Sequence, residues 1–191
     1  MTVSWIDIVG AIIGVAYIIS EYRADRWFWP LSLVMSAFYI VIDFTSGIYA
    51  NGAICCYNFI MSIYGILVWR GLVQSKNGGE RPITSCPRRY WPALIATTAA
   101  LSVGLWWLLG WLGESQYPWL DGISSALTIV AMWMLAQKYL EQWLLWIVVN
   151  IVSTILYFWK GLYPTGVLFI VYVIVAVLGY LRWRKDMTNN P

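Results

Sequence analysis

The sequence predicts an all-α membrane protein of seven transmembrane helices, and three observations carry that prediction. The 191 residues are 61% hydrophobic and only 11% charged, with a mean hydropathy of +0.68, a composition far from that of soluble domains. The apolar runs are long and continuous, as helices crossing a ~30 Å hydrocarbon core require, and do not show the short alternation of a barrel. The basic residues, finally, fall almost entirely on one side of the alternating loops.

The seven spans are expected at Trp5–Tyr22, Trp27–Phe44, Gly52–Trp69, Trp91–Leu112, Asp121–Gln137, Gln142–Trp159 and Pro164–Trp183. Trp and Tyr gather at their ends, as an aromatic belt does. The first run lacks a basic leader and a small-residue cleavage site, so it reads as a retained span. Arg23, Arg26, Arg70, Lys76, Arg81, Arg88, Arg89, Lys138, Arg182, Arg184 and Lys185 share one side and Lys160 stands alone on the other, a split of 11 to 1 of the 12 Lys and Arg. Positive-inside logic makes the basic side cytoplasmic. The N-terminus is then expected outside and the C-terminus inside, in a bacterial inner membrane. Gly71–Tyr90, rich in Ser, Asn, Gly and Pro, is expected to be an irregular, mobile connector.

A shift of 114 positions lays Asp7 on Asp121, Trp29 on Trp143, Phe44 on Phe158, Gly47 on Gly161, Tyr49 on Tyr163, Gly52 on Gly166, Gly65 on Gly179 and Trp69 on Trp183. Coincidences of Leu, Ile and Val are cheap in so apolar a chain, but these are not. The frame predicts a duplication of spans 1–3 in spans 5–7. Two three-helix units with the same charge orientation are parallel repeats, and three is odd, so one linker span must return the chain. The expected architecture is 3+1+3, with a first bundle at 5–70, a connector and linker helix at 71–112 and a second bundle at 121–184.

Polar stripes mark helix faces. Trp146, Asn150, Ser153 and Tyr157 in span 6 are spaced four, three and four apart, one face of an α-helix. The same spacing holds in span 2 for Ser32, Ser36, Tyr39 and Asp43, and in span 3 for Asn51, Cys55, Asn58 and Ser62. The span 7 counterpart, Thr165, Phe169, Tyr172 and Ala176, is less polar, and span 5 adds Asp121, Ser125 and Thr128. Small polar residues often only glue helices together, and Gly10 and Gly14 fit that role. Asn58, Asn150 and Asp43 are costlier than glue needs. Matching stripes in both halves therefore predict a central wet chamber lined by aromatic and amide groups. It suits a flat, polar, ring-bearing molecule, and a cationic ring gains further from aromatic faces and a carboxylate. Asp43, Asp121 and Glu21 are the candidate carboxylates; the plainer role for Glu21 is a partner for Arg23.

Absences narrow the function. The chain has no His, and its three cysteines (Cys55, Cys56, Cys86) have no C-x-x-C spacing, so neither a metal site nor a disulfide framework is expected. There is no phosphate-binding loop for an ATP motor, no Lys in span 7 for a retinal, and no nucleophile elbow or paired catalytic carboxylates. An enzyme, a cofactor and a nucleic-acid partner are therefore not expected. A non-transporting membrane scaffold, whose stripes merely pack helices, is the competing class.

Several segments resemble the Pnu family of bacterial vitamin transporters: Trp27-Phe-Trp29-Pro30-Leu, Gly47-Ile-Tyr49-Ala50, Ser62-Ile-Tyr64-Gly65 with Trp69, Trp143-x-x-Trp146-x-x-x-Asn150, Lys160-Gly-Leu-Tyr163 and Gly179-Tyr-x-x-Trp183. The resemblance covers nearly the whole chain. It implies a full-length SWEET-like fold, uptake of a water-soluble vitamin by uncoupled facilitated diffusion, trapping by a cytoplasmic kinase, and a homotrimer as one available assembly. It also implies a site centred on span 6, with Trp143, Trp146 and Asn150 as binding residues. Glu21-Tyr22-Arg23-Ala24, Pro82-Ile-Thr84, Pro118-Trp-Leu-Asp121 and Met132-Trp-Met-Leu-Ala136-Gln-Lys138-Tyr look more like the thiamine-type (PnuT) branch than the nicotinamide riboside (PnuC) branch. Cys55 stands where the latter often has Gln. Thiamine is thus the expected substrate and nicotinamide riboside the alternative. The expected substrate-binding set is Trp143, Trp146, Asn150, Tyr157, Asn58, Cys55, Tyr39, Asp43, Ser36, Tyr172 and Asp121, with Trp29 and Trp143 gating the inner end.

Overall fold

A computed structural model of the chain describes residues 17–25, 27–47, 49–73, 81–113 and 115–189. The expected span over 5–16, with Asp7, Gly10 and Gly14, lies outside the described residues. Its end, 17–22, is helical and is here α1. Six further helices follow: α2 (Phe28–Thr45), α3 (Tyr49–Trp69), α4 (Trp91–Leu112), α5 (Pro118–Ala136), α6 (Gln142–Trp159) and α7 (Tyr163–Asn189). All six are long and apolar enough to cross a membrane. α7 outruns its expected end at Trp183 by six residues. The extension, Arg184–Asn189, is charged and polar, so it continues the helix beyond the apolar run.

The helix ends follow from local chemistry. Gly161 after α6 has φ +73°. Its N–H bonds the Phe158 carbonyl at 3.1 Å, and the Leu162 N–H bonds the Tyr157 carbonyl at 2.9 Å, the paired bonds of a left-handed helix stop. The same stop ends α5 on a side chain that dislikes it. Lys138 has φ +51°, with its N–H on the Leu135 carbonyl and the Tyr139 N–H on the Met134 carbonyl. Ala24, 114 positions earlier, is the other non-glycine residue with positive φ among those described, at +52°.

α2 packs along α3, α6 along α7 and α4 along α5, while α5 also touches α3 and α6. The α2–α3 and α6–α7 pairs share their detail. Trp29 meets Trp69 edge-on at 5.6 Å and 90°, and Trp143 meets Trp183 at 5.6 Å and 88°. Phe44 and Tyr49 are 6.1 Å apart, and Phe158 and Tyr163 5.9 Å, both at 63°. A Cβ on Gly52 would lie 2.9 Å from the Phe44 ring, and one on Gly166 2.9 Å from that of Phe158. Gly122 brings the α5 backbone against α4, where a Cβ would stand 2.8 Å from the Trp106 backbone nitrogen.

The connector departs from its expectation over 81–90, which is tied down; 74–80 lie outside the described residues. The Thr84 N–H bonds the Lys138 carbonyl at 3.1 Å, and the Leu140 N–H bonds the Thr84 carbonyl at 2.9 Å. Cys86 is buried, and its N–H bonds Glu141 Oε2 at 2.8 Å. Arg81 lies over the Tyr139 ring. Backbone groups that the Pro-rich composition leaves without helix partners are satisfied here by the α5–α6 turn.

Candidate binding chamber

Between the two helix pairs lies a chamber of about 460 Å³. Every described helix except α4 contributes to its wall. α2 presents Ser32, Met35, Ser36 and Tyr39; α3 presents Cys55 and Asn58; α6 presents Trp146, Val149, Asn150 and Ser153; α7 presents Phe169 and Tyr172. The periodicity of the stripes explains why: residues three and four apart return to one face. α5 adds Ser124, Thr128 and Met132, and α1 adds Tyr17 and Ile18.

Seven expected residues therefore meet on one wall: Trp146, Asn150, Asn58, Cys55, Tyr39, Ser36 and Tyr172. Four stand off it. Trp143 is buried against Trp183 and Gly179 at the basic end of α6. Trp29 is its counterpart on α2, over Gly65. The two expected gate residues are thus packed into the core cluster that floors the chamber, together with Phe28, Met132 and Leu135. Tyr157 turns from the lumen to stack on Phe169, at 5.1 Å and 20°. Asp121 pairs with Lys160 at 3.3 Å and accepts a hydrogen bond from Ser115. Its charge is answered locally.

Asp43 is the most informative of the four. It is buried, accepts from Asn51 Nδ2 at 2.7 Å and from Cys55 Sγ at 3.4 Å, and forms no ion pair among the described residues. The carboxylate backs the wall through Cys55. Glu21 is buried too, and its Oε1 has no hydrogen-bond partner among the described residues. The expected pairing with Arg23 does not occur.

In the chamber wall, Asn58 Oδ1 and Trp146 Nε1 are buried from solvent and have no hydrogen-bond partner among the described residues. An acceptor and a donor so placed are costly unless a ligand or water meets them. No charged side chain lines the chamber among the described residues. Hydrogen bonds brace the wall behind. Ser62 donates to the Asn58 carbonyl at 2.7 Å and shares a 2.8 Å bond with Ser32. The Tyr57 hydroxyl donates to the Ile129 carbonyl at 2.8 Å, tying α3 to α5.

Sequence reasoning missed Tyr17, Met35, Val149 and Met132, whose apolar or isolated positions carry no stripe signal. It also chose Ser125 on α5, where the wall carries Ser124.

The sequence profile described as nicotinamide mononucleotide transporter matches residues 4–185. The chain belongs to that family. Within it, the chain is 26% identical to the nicotinamide riboside transporter PnuC of Escherichia coli, over 94% of this chain and 85% of that one. It is also 26% identical to the riboflavin/roseoflavin transporter RibM of Streptomyces davaonensis, over 95% and 87%. The fold matches a crystal structure of the vitamin B3 transporter PnuC with a TM-score of 0.71 at 22% identity, covering 96% of this chain and 82% of the other. The family and its six apolar helices make this a multi-pass membrane protein. These relatives give no support to the thiamine expectation: by name they are carriers of nicotinamide riboside and riboflavin. The segments that suggested a thiamine branch lie mostly at span ends, where interfacial Trp, Tyr and Arg recur for reasons of membrane anchoring.

Proposed function

We propose that the chain is a facilitative carrier importing a water-soluble, ring-bearing vitamin across the bacterial inner membrane, with nicotinamide riboside as substrate. The observation that carries this reading is the chamber itself. Its about 460 Å³ falls in the range of roughly 300–1,000 Å³ usual for small-molecule sites. Its aromatic wall and its amide and hydroxyl side chains suit a flat ring bearing an amide. Trp146 and Tyr172 offer stacking faces, Asn150 and Asn58 hydrogen bonds, and Ser36, Tyr39 and Cys55 complete the pocket. Asp43 places a carboxylate behind the wall with no ion pair among the described residues, favouring a cationic ring.

The matched geometry of the α2–α3 and α6–α7 pairs supports a 3+1+3 parallel repeat over 5–70 and 121–184, joined by 71–112. In this reading the two bundles rock about the chamber. The basic end faces the cytoplasm, and the Phe28–Trp29–Trp143 floor closes that side. A cytoplasmic kinase then traps the vitamin by phosphorylation, and the carrier works as a homotrimer.

RibM's equal identity makes riboflavin the second reading. Calorimetric titration of the purified protein with nicotinamide riboside, riboflavin and thiamine tests both. Proteoliposomes holding this chain alone should equilibrate labelled nicotinamide riboside. If none of the vitamins binds or crosses, the scaffold class replaces the carrier.

A further inference from the structure

A second cavity, of about 450 Å³, opens at the basic end where α2 begins, α3 ends and α5 turns into α6. We propose that it binds the phosphate headgroup of an anionic phospholipid. Because it sits where three spans terminate, it lies at headgroup depth. Trp27, Trp29 and Trp69 wall it, and Arg70 and Lys138 bring the charge; no carboxylate lines it among the described residues. Basic pockets between helices at a membrane surface are suited to such headgroups.

The cations are placed differently. Lys138 is held by its left-handed turn and by the Thr84 N–H on its carbonyl. Its Nζ stands 4.5 Å from the centre of the Trp69 ring, an aromatic face that attracts an ammonium. Arg70 follows directly on α3 and is exposed, free to fork onto a phosphate from the surface. Trp27, 60% exposed, offers an apolar face to the glycerol and acyl portion that a free phosphate would not use. The occupant is therefore a lipid. It would bridge α3 to the α5–α6 turn, and so hold the two helix pairs in the arrangement seen here.

The test is thermal melting of the delipidated protein in neutral detergent, with phosphatidylglycerol, phosphatidylcholine or glycerol 1-phosphate added at equal phosphate. Phosphatidylglycerol should raise Tm and the other two should not. Arg70→Gln and Lys138→Gln should each at least halve that rise, while Arg88→Gln, an exposed cation outside the cavity, should leave it intact. Arg70 is exposed, so its variant folds even if the Lys138 variant does not. Native mass spectrometry should find phosphatidylglycerol retained on the parent chain and lost from Arg70→Gln. An equal rise with phosphatidylcholine, an equal rise in Arg70→Gln, or full protection by glycerol 1-phosphate would each overturn the proposal.

Discussion

Trp143 fills the space that a side chain at Gly179 would need: a Cβ there would stand 2.6 Å from the indole ring. The same relation joins Trp29 to Gly65, at 2.2 Å. Each tryptophan is almost wholly buried and edge-on to a second one, so the ring has nowhere to go. Gly179→Ala and Gly65→Ala should each destabilise the protein by about 1–3 kcal/mol, the usual cost of overpacking. Melting curves in detergent check this; an unchanged Tm in both would mean that the floor of the chamber yields more easily than its packing implies.

Asn150 lies on the chamber wall from the middle of α6. Asn150→Leu keeps the branching of the side chain and removes the amide. Loss of a ligand hydrogen bond of about 1–2 kcal/mol should weaken vitamin binding by roughly five- to thirtyfold, with little change in melting. Calorimetry with nicotinamide riboside reads the first quantity, and unaltered affinity removes Asn150 from the site.

Asp43 acts from behind Cys55. Asp43→Asn preserves the size and the capacity to bond Asn51 but discharges the wall. Affinity for a cationic vitamin should fall about tenfold, an effect of ~1.4 kcal/mol, while a neutral flavin should bind almost unchanged. Equal losses for both would point to a structural role for the residue.

Cys86 lies outside the spans. Burial, and then the charge of Glu141, raise its thiol above the ordinary value. Alkylation of Cys86 in a Cys55→Ser, Cys56→Ser background should accordingly be slower than that of a free cysteine at pH 8 and should recover only in more alkaline solution. The sign for stability follows. The folded state holds the proton more tightly, so the linked contribution is complete below the ordinary thiol value and is lost as pH rises through the folded one. A labelling rate equal to that of free cysteine would show that the connector lifts off the α5–α6 turn.

The helices, their number among the described residues and their polar faces were all legible in the chain. A bilayer imposes long apolar runs and makes every intramembrane polar residue conspicuous, so pattern alone locates spans and marks Asn58, Asn150 and Ser36 as inward-facing. The offset of 114 likewise lays Trp29 on Trp143 and Gly65 on Gly179, and each tryptophan packs on the glycine of its own half. Substrate class was less legible, because aromatic and basic residues at span ends answer to the membrane as much as to a ligand.

What the sequence determined by itself is thus everything that follows from period and polarity: spans, stripes and family. Tertiary structure alone decided which polar residues share a lumen. Asp121 and Asp43 both occur on polar faces, yet Lys160 and Ser115 engage the first while the second has no cation beside it among the described residues. Periodicity records the direction a side chain leaves its helix, but the depth at which it meets a neighbour depends on how six helices are placed around one another. That placement turned Trp143 into packing, set Tyr157 against Phe169, and put Arg70 and Lys138 on two sides of one cavity.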